Sequence, residues 1–124
     1  MKKNLLYLLL LLLTACKKDD VIEDGQAPVV LLTTPSNNQT FAAGESINIT
    51  ADITDNQKIT EVHLEIINNA TGAFITHEHF VPDAPSYKLT RSFAAQANSA
   101  YKIRVVAEDA SSNSAKAEVS VISN

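Results

Sequence analysis

Cysteine is nearly missing from this 124-residue chain, with Cys16 its only copy. A lone thiol rules out an internal disulfide and a thiolate cage for a metal, so burial of apolar side chains alone must hold whatever domain forms. Glycine occurs three times and tryptophan not at all. No glycine-rich phosphate loop, no serine elbow and no cysteine nucleophile inside a domain can be found, which speaks against an enzyme. Long apolar runs are also lacking. The one present, Leu5 to Leu13, is well short of the roughly 20 residues that a membrane-crossing helix needs.

What the N-terminus does contain is ordered. Lys2 and Lys3, the leucine run, and the small residues Thr14 and Ala15 make residues 1–15 a secretory signal segment. Leu13-Thr14-Ala15-Cys16 ends that segment on cysteine and resembles the lipobox of bacterial lipoproteins. The resemblance implies acyl chains, palmitate among them, on Cys16 and an anchor in the membrane that spans nothing. Two or more chains hold firmly where one binds only marginally. Residues 16–27 then form a tether, polar, acid-rich and closed by Pro28. Fully stretched, the residues behind Cys16 reach on the order of 35 Å. Lys17-Lys18 followed by Asp19-Asp20 resembles the surface-export tag of Bacteroidota lipoproteins, which implies the outer leaflet of the outer membrane. The alternative is an ordinary solvated linker on the periplasmic face.

Residues 28–124 suit one small domain. Removing Lys2 and Lys3 with the signal leaves 8 basic against 14 acidic residues, a net charge of −6. Such a surface repels nucleic acid. Period-two alternation of apolar residues runs through the segment and predicts strands at Val29–Thr34, Ser46–Thr54, Ile59–Asn68, Phe74–Val81, Ser86–Ala94, Ala100–Glu108 and Ala115–Ile122. About seven short strands with inward rows such as Ile47, Ile49, Ala51, Ile53 and Tyr101, Ile103, Val105, Ala107 predict an all-β, immunoglobulin-like or fibronectin-III-like sandwich of antiparallel strands. Tyr101 stands where a tyrosine corner is expected, its hydroxyl turned back to the backbone near Gln96 to Ser99. The run from Tyr101 to Asn113, and Pro35 to Ile49 with Phe41 and Gly44-Glu45, resemble bacterial immunoglobulin-like domains. That resemblance implies a scaffold and no particular activity.

All three histidines fall in one predicted hairpin. With Ala70-Thr71-Gly72 as a three-residue loop and Gly72 left-handed, Asn69 pairs with Ala73. Counting along the ladder then sets Glu65 opposite His77 and His63 opposite His79. His63, Glu65, His77 and His79 share the face away from Val62 and Leu64, at spacings from which imidazoles converge on Zn²⁺, Cu²⁺ or Ni²⁺. The competing expectation is a set of polar cross-strand pairs on a wet sheet. His77-Glu78-His79 also resembles the His-x-His segment of a family of Bacteroidota immunoglobulin-like lipoproteins.

Strand alternation gathers the connections Asp55–Lys58, Pro82–Pro85 and Ala110–Ser114 at one end. That brings Asp55, Asn56, Asp83, Asp109 and Asn113 together as candidate Ca²⁺ ligands, or as ordinary turn-closing residues. Glu78 and Arg91 interrupt two inward rows and are expected to face each other across the sandwich mouth, guarding edge strands. The expectation is a non-catalytic binding, adhesion or spacer module displayed from the outer membrane, with a metal-binding lipoprotein as the alternative. Its partners are the membrane, through the acyl chains, and a surface protein or glycan met by the loops Pro35–Glu45, Asn69–Gly72 and Ala95–Ser99. Phe41 is the one aromatic candidate for a platform there.

Overall fold

In a computed structural model of the chain, residues 23–124 are described. Cys16, the signal segment and most of the tether lie outside them. Seven strands follow in order: β1 (Val29–Thr34), β2 (Thr40–Phe41), β3 (Ser46–Asn68), β4 (Phe74–Phe80), β5 (Ala84–Ala94), β6 (Ser99–Asp109) and β7 (Ser114–Ser123). No helix occurs among the described residues.

β3 organises the rest. Its first half, Ser46 to Thr54, carries β1 on one side and β5 on the other, both antiparallel. Its second half, Ile59 to Asn68, carries β4 and β6. β6 continues into β7, and β7 takes the two-residue β2 in parallel. The two halves thus belong to two layers, β1-β3-β5 and β4-β3-β6-β7-β2. The segment 55–58, expected as a loop, is instead a corner within one extended strand. Backbone extension there costs little because Asp55 folds its own carboxylate onto Gln57 N–H, Oδ2 accepting at 2.9 Å.

The inward rows are those the alternation predicts. Ile47, Ile49, Ala51 and Ile53 from one layer meet Val62, Leu64, Ile66, Tyr101, Ile103, Val105 and Ala107 from the other, all buried. Phe93 of β5 packs its ring edge-on to Tyr101 of β6, centroids 5.1 Å apart, across the layers. The Tyr101 hydroxyl accepts a hydrogen bond from Gln96 N–H at 2.9 Å, so the tyrosine corner is present.

Two expectations fail on packing. Phe41, read as a surface platform, is buried, because pairing of β2 with β7 turns its ring into the core. Phe74, which period-two alternation with Phe80 around Glu78 would set inward, is 56% exposed. The hairpin closes with Asn68 N–H on Ala73 O rather than through an Asn69–Ala73 pair, and a bulge between Ile66 and Ile67 absorbs the one-residue difference. Phe74 therefore lies on the outer side of the bulge. Gly72 does hold the left-handed conformation the loop requires, φ 72°.

Candidate functional site

The outer face of the second layer carries the histidines. Beyond the bulge the ladder sets His63 opposite His79 and Glu65 opposite His77, the pairing deduced from burial. The four side chains do not converge as one set, however. Arg104 of β6 takes Glu65, its Nη1 at 2.9 Å from Oε2, while its Nε holds Glu118 of β7 at 3.1 Å. This bridge spans three neighbouring strands. The hydrogen bond to Glu118, with the negative charges of both glutamates, raises the Arg104 pKa. In return that bond, chiefly, holds the Glu118 carboxyl below the usual range.

Glu61 stands in Glu65's place. Its Oε2 lies 3.3 Å from His63 Nε2 and 3.7 Å from His79 Nε2, and ligand atoms of these three residues lie within 4.8 Å of one another. His77 approaches the other nitrogen of the His63 ring, Nε2 to Nδ1 at 3.3 Å. That contact engages the His63 nitrogen not used by Glu61. The His63 and His79 rings stack at 4.6 Å, and Phe74 covers His77 at 5.5 Å. Two imidazoles and one carboxylate are donor types that suit Zn²⁺ or Cu²⁺, and these three side chains could hold such an ion. Glu61 was missed although strand period alone reveals it, two residues before His63 and so on the same face.

The acidic cluster at the tether end also differs from the expected set. Asp55 and Asp109 come together, joined by Asp24 from the N-terminal segment, with one oxygen of each within 4.8 Å of the others. Asn113 contributes by clamping: its Nδ2 donates to the Asp24 carbonyl oxygen at 2.6 Å and to Asp109 Oδ2 at 2.8 Å. Asp109 Oδ1 accepts from the N–H groups of Ser111 and Asn113 at 2.8 Å. Burial pushes the Asp109 carboxyl up, but the hydrogen bonds from Asn113 and Ser111 outweigh it and hold it below the ordinary aspartate range. Asp83 does not join: it pairs with Lys58, Nζ to Oδ1 at 2.6 Å. Asn56 is exposed on the corner and stands outside the three-carboxylate group. Asp24 carries no periodicity and precedes the first strand, so no pattern in the sequence marks it.

At the sandwich mouth the edge strands β4 and β5 face each other. Arg91 Nε meets Glu78 Oε2 at 2.9 Å, and the guanidinium lies 4.8 Å from the Phe80 ring centre. The hydrogen bond to Glu78 raises the Arg91 pKa.

Comparison with known proteins agrees with this architecture. A family model described as a bacterial Ig domain matches residues 28–119. Among solved structures the chain is similar to the fibronectin(III)-like modules of CbhA from Clostridium thermocellum, with a TM-score of 0.55 and 24% identity. That likeness covers 79% of this chain but 47% of the other, so the chain spans about half the length of that structure. It is similar also to the superoxide reductase (neelaredoxin) of Ignicoccus hospitalis, TM-score 0.56 and 10% identity, over 80% of this chain and 81% of that one. At such identities the likeness concerns the fold alone. No curated protein matches the chain.

Proposed function

Because the chain belongs to the family of bacterial Ig domains, we propose that it is a non-catalytic binding or spacer module, lipid-anchored at Cys16 and displayed from the outer membrane at the cell surface. The observation that carries this reading is polarity of the sandwich. The N-terminal segment enters beside the β6–β7 turn, Asp24 N–H donating to Ser111 Oγ at 3.3 Å. The turns at Asn69–Gly72 and Ala95–Ser99 close the opposite end. A domain held by its N-terminus therefore offers those turns outward, to a surface protein or glycan. The polar groups that catalysis would need stand on an open sheet face, where water screens them. Replacing Cys16 with serine in cells fed labelled palmitate is expected to abolish the label and move the protein out of the membrane fraction. Unchanged label and fractionation would reject the anchor. Protease treatment of intact cells reads the leaflet, since only a surface-displayed domain is cut.

A second reading, metal handling, is favoured by the Glu61, His63 and His79 set. Calorimetry with Zn²⁺ and Cu²⁺ on the full chain is expected to give heat that His79→Ala abolishes. His77→Ala, which removes only the contact with His63, is expected to weaken binding about 10-fold. Equal loss in both variants would return His77 to the ligand set, and no heat at all would end the reading.

A further inference from the structure

The end of the sandwich where the chain enters holds three carboxylates, none of them in a salt bridge among the described residues. Asp24, Asp55 and Asp109 each bring an oxygen within 4.8 Å of the other two. Asp24 is 9% exposed, and its Oδ2 is sealed from solvent with no hydrogen-bond partner; Asp55 Oδ1 is likewise buried and unpartnered. The second oxygens of these two groups are occupied, Asp24 Oδ1 by Gln26 N–H at 3.0 Å and Asp55 Oδ2 by Gln57 N–H at 2.9 Å. Each carboxylate is thus fixed by its own turn while one oxygen is left bare. Lys58, the lysine nearest in sequence, is committed to Asp83. Folded proteins do not bury carboxylate oxygens bare: a proton, a donor or a metal ion compensates them.

We infer that Asp24, Asp55 and Asp109 form a binding site for a hard divalent cation, Ca²⁺ before Mg²⁺, that fastens the N-terminal segment to the sandwich. The donor set is oxygen only, which suits hard cations. Oxygens bound to one Ca²⁺ at about 2.3–2.6 Å stand up to about 5 Å apart, whereas Mg²⁺ at about 2.0–2.1 Å gathers them within about 4.2 Å. Oxygens within 4.8 Å of one another fall inside the span of Ca²⁺ coordination, and Ca²⁺ accepts the irregular geometry of groups fixed by separate turns where Mg²⁺ demands a near-ideal octahedron. A hollow of about 570 Å³ lined by Asp24, Ser111 and Asn113, among others, opens beside the group. Three chain segments meet at the ion: the stretch before β1, the corner of β3 and the turn between β6 and β7. Filling the site therefore fixes the direction in which the chain leaves the domain.

The test is thermal unfolding of the full chain in EDTA and in about 10 mM CaCl₂, a concentration chosen for the weak affinities of extracellular Ca²⁺ modules. The midpoint is expected to rise by at least about 5 °C with Ca²⁺, and by clearly less in MgCl₂ at equal concentration. Asp24→Asn keeps the Oδ1 contact with Gln26 and is expected to lose the Ca²⁺ shift while melting in EDTA no lower than the parent chain. Asp55→Asn serves the same purpose should the first variant not fold. Limited proteolysis of the unaltered chain gives a readout without any variant, with Ca²⁺ slowing cleavage between Glu23 and Pro28. A midpoint the same in Ca²⁺ and EDTA, or a shift retained in Asp24→Asn, overturns the site; an equal shift with Mg²⁺ overturns the preference for calcium. Binding is read without membranes, so its failure leaves the anchored-module reading standing, and failure of the Cys16→Ser test leaves the site standing.

Discussion

Single side chains on this molecule act through what their neighbours leave free. Arg104 is the clearest case, since by taking Glu65 and Glu118 together it withdraws Glu65 from the histidines and leaves Glu61 as their carboxylate. The register that sets Glu65 opposite His77 is the one the sequence implies, while its carboxylate meets Arg104: strand period fixes which face a residue occupies, not which neighbour reaches it first. Glu118 gives this pairing a measurable consequence. Its depressed pKa means that it contributes stability at pH values above its unfolded pKa, a contribution lost as pH falls through the lower folded value. Arg104→Met is expected to return the Glu118 pKa upward toward the ordinary glutamate range, read by carbon-detected NMR titration of the side-chain carboxyl. Because Glu118 is exposed and Arg104 only half-buried, high salt is expected to shrink the difference. A Glu118 pKa equal in both proteins would show that Arg104 is not its cause.

At the scale of elements, alternation carries most of the information. Five of the seven predicted strands fall within two residues of observed ones at each end, Val29–Thr34 among them unchanged, and the other two, Ser46–Thr54 and Ile59–Asn68, are the two halves of β3. Two features escaped because local pattern does not encode them. The two-residue β2 exists only by pairing with β7, and the 55–58 corner has the Asp and Asn of a loop yet the backbone of a strand. The Glu78–Arg91 contact, by contrast, follows from reading a charge inside an apolar row as an edge device. Replacing both with leucine is expected to leave the urea midpoint nearly unchanged and to raise self-association in analytical ultracentrifugation, because the β4 and β5 edges lose the charges that oppose strand addition. A double variant that stays monomeric at high concentration would remove that role.

For the molecule as a whole, the two layers are covalently one through β3. Ile59, fully buried at the end of the corner, pairs with Ala84 of one layer and Asp109 of the other. Ile59→Ala is expected to cost about 2–5 kcal/mol, and to do so in a single urea transition seen alike by tyrosine fluorescence and circular dichroism. Two separate transitions would mean the layers unfold independently. Apolar alternation foresees the sandwich but not this seam, since a hydrophobic residue flanking Asp55-Asn56-Gln57-Lys58 looks like any strand start.

Glu23 lies at one pole with the β6–β7 turn, and Asn124 lies at the other, its N–H on Phe41 O. A force applied between Glu23 and Asn124 would act along β1 and β7 and load the β1–β3 and β6–β7 ladder bonds in shear, many at once, instead of peeling them one by one. Any cross-link that pins Asp24 to the near pole would spare the stretch before β1 from being the first to yield.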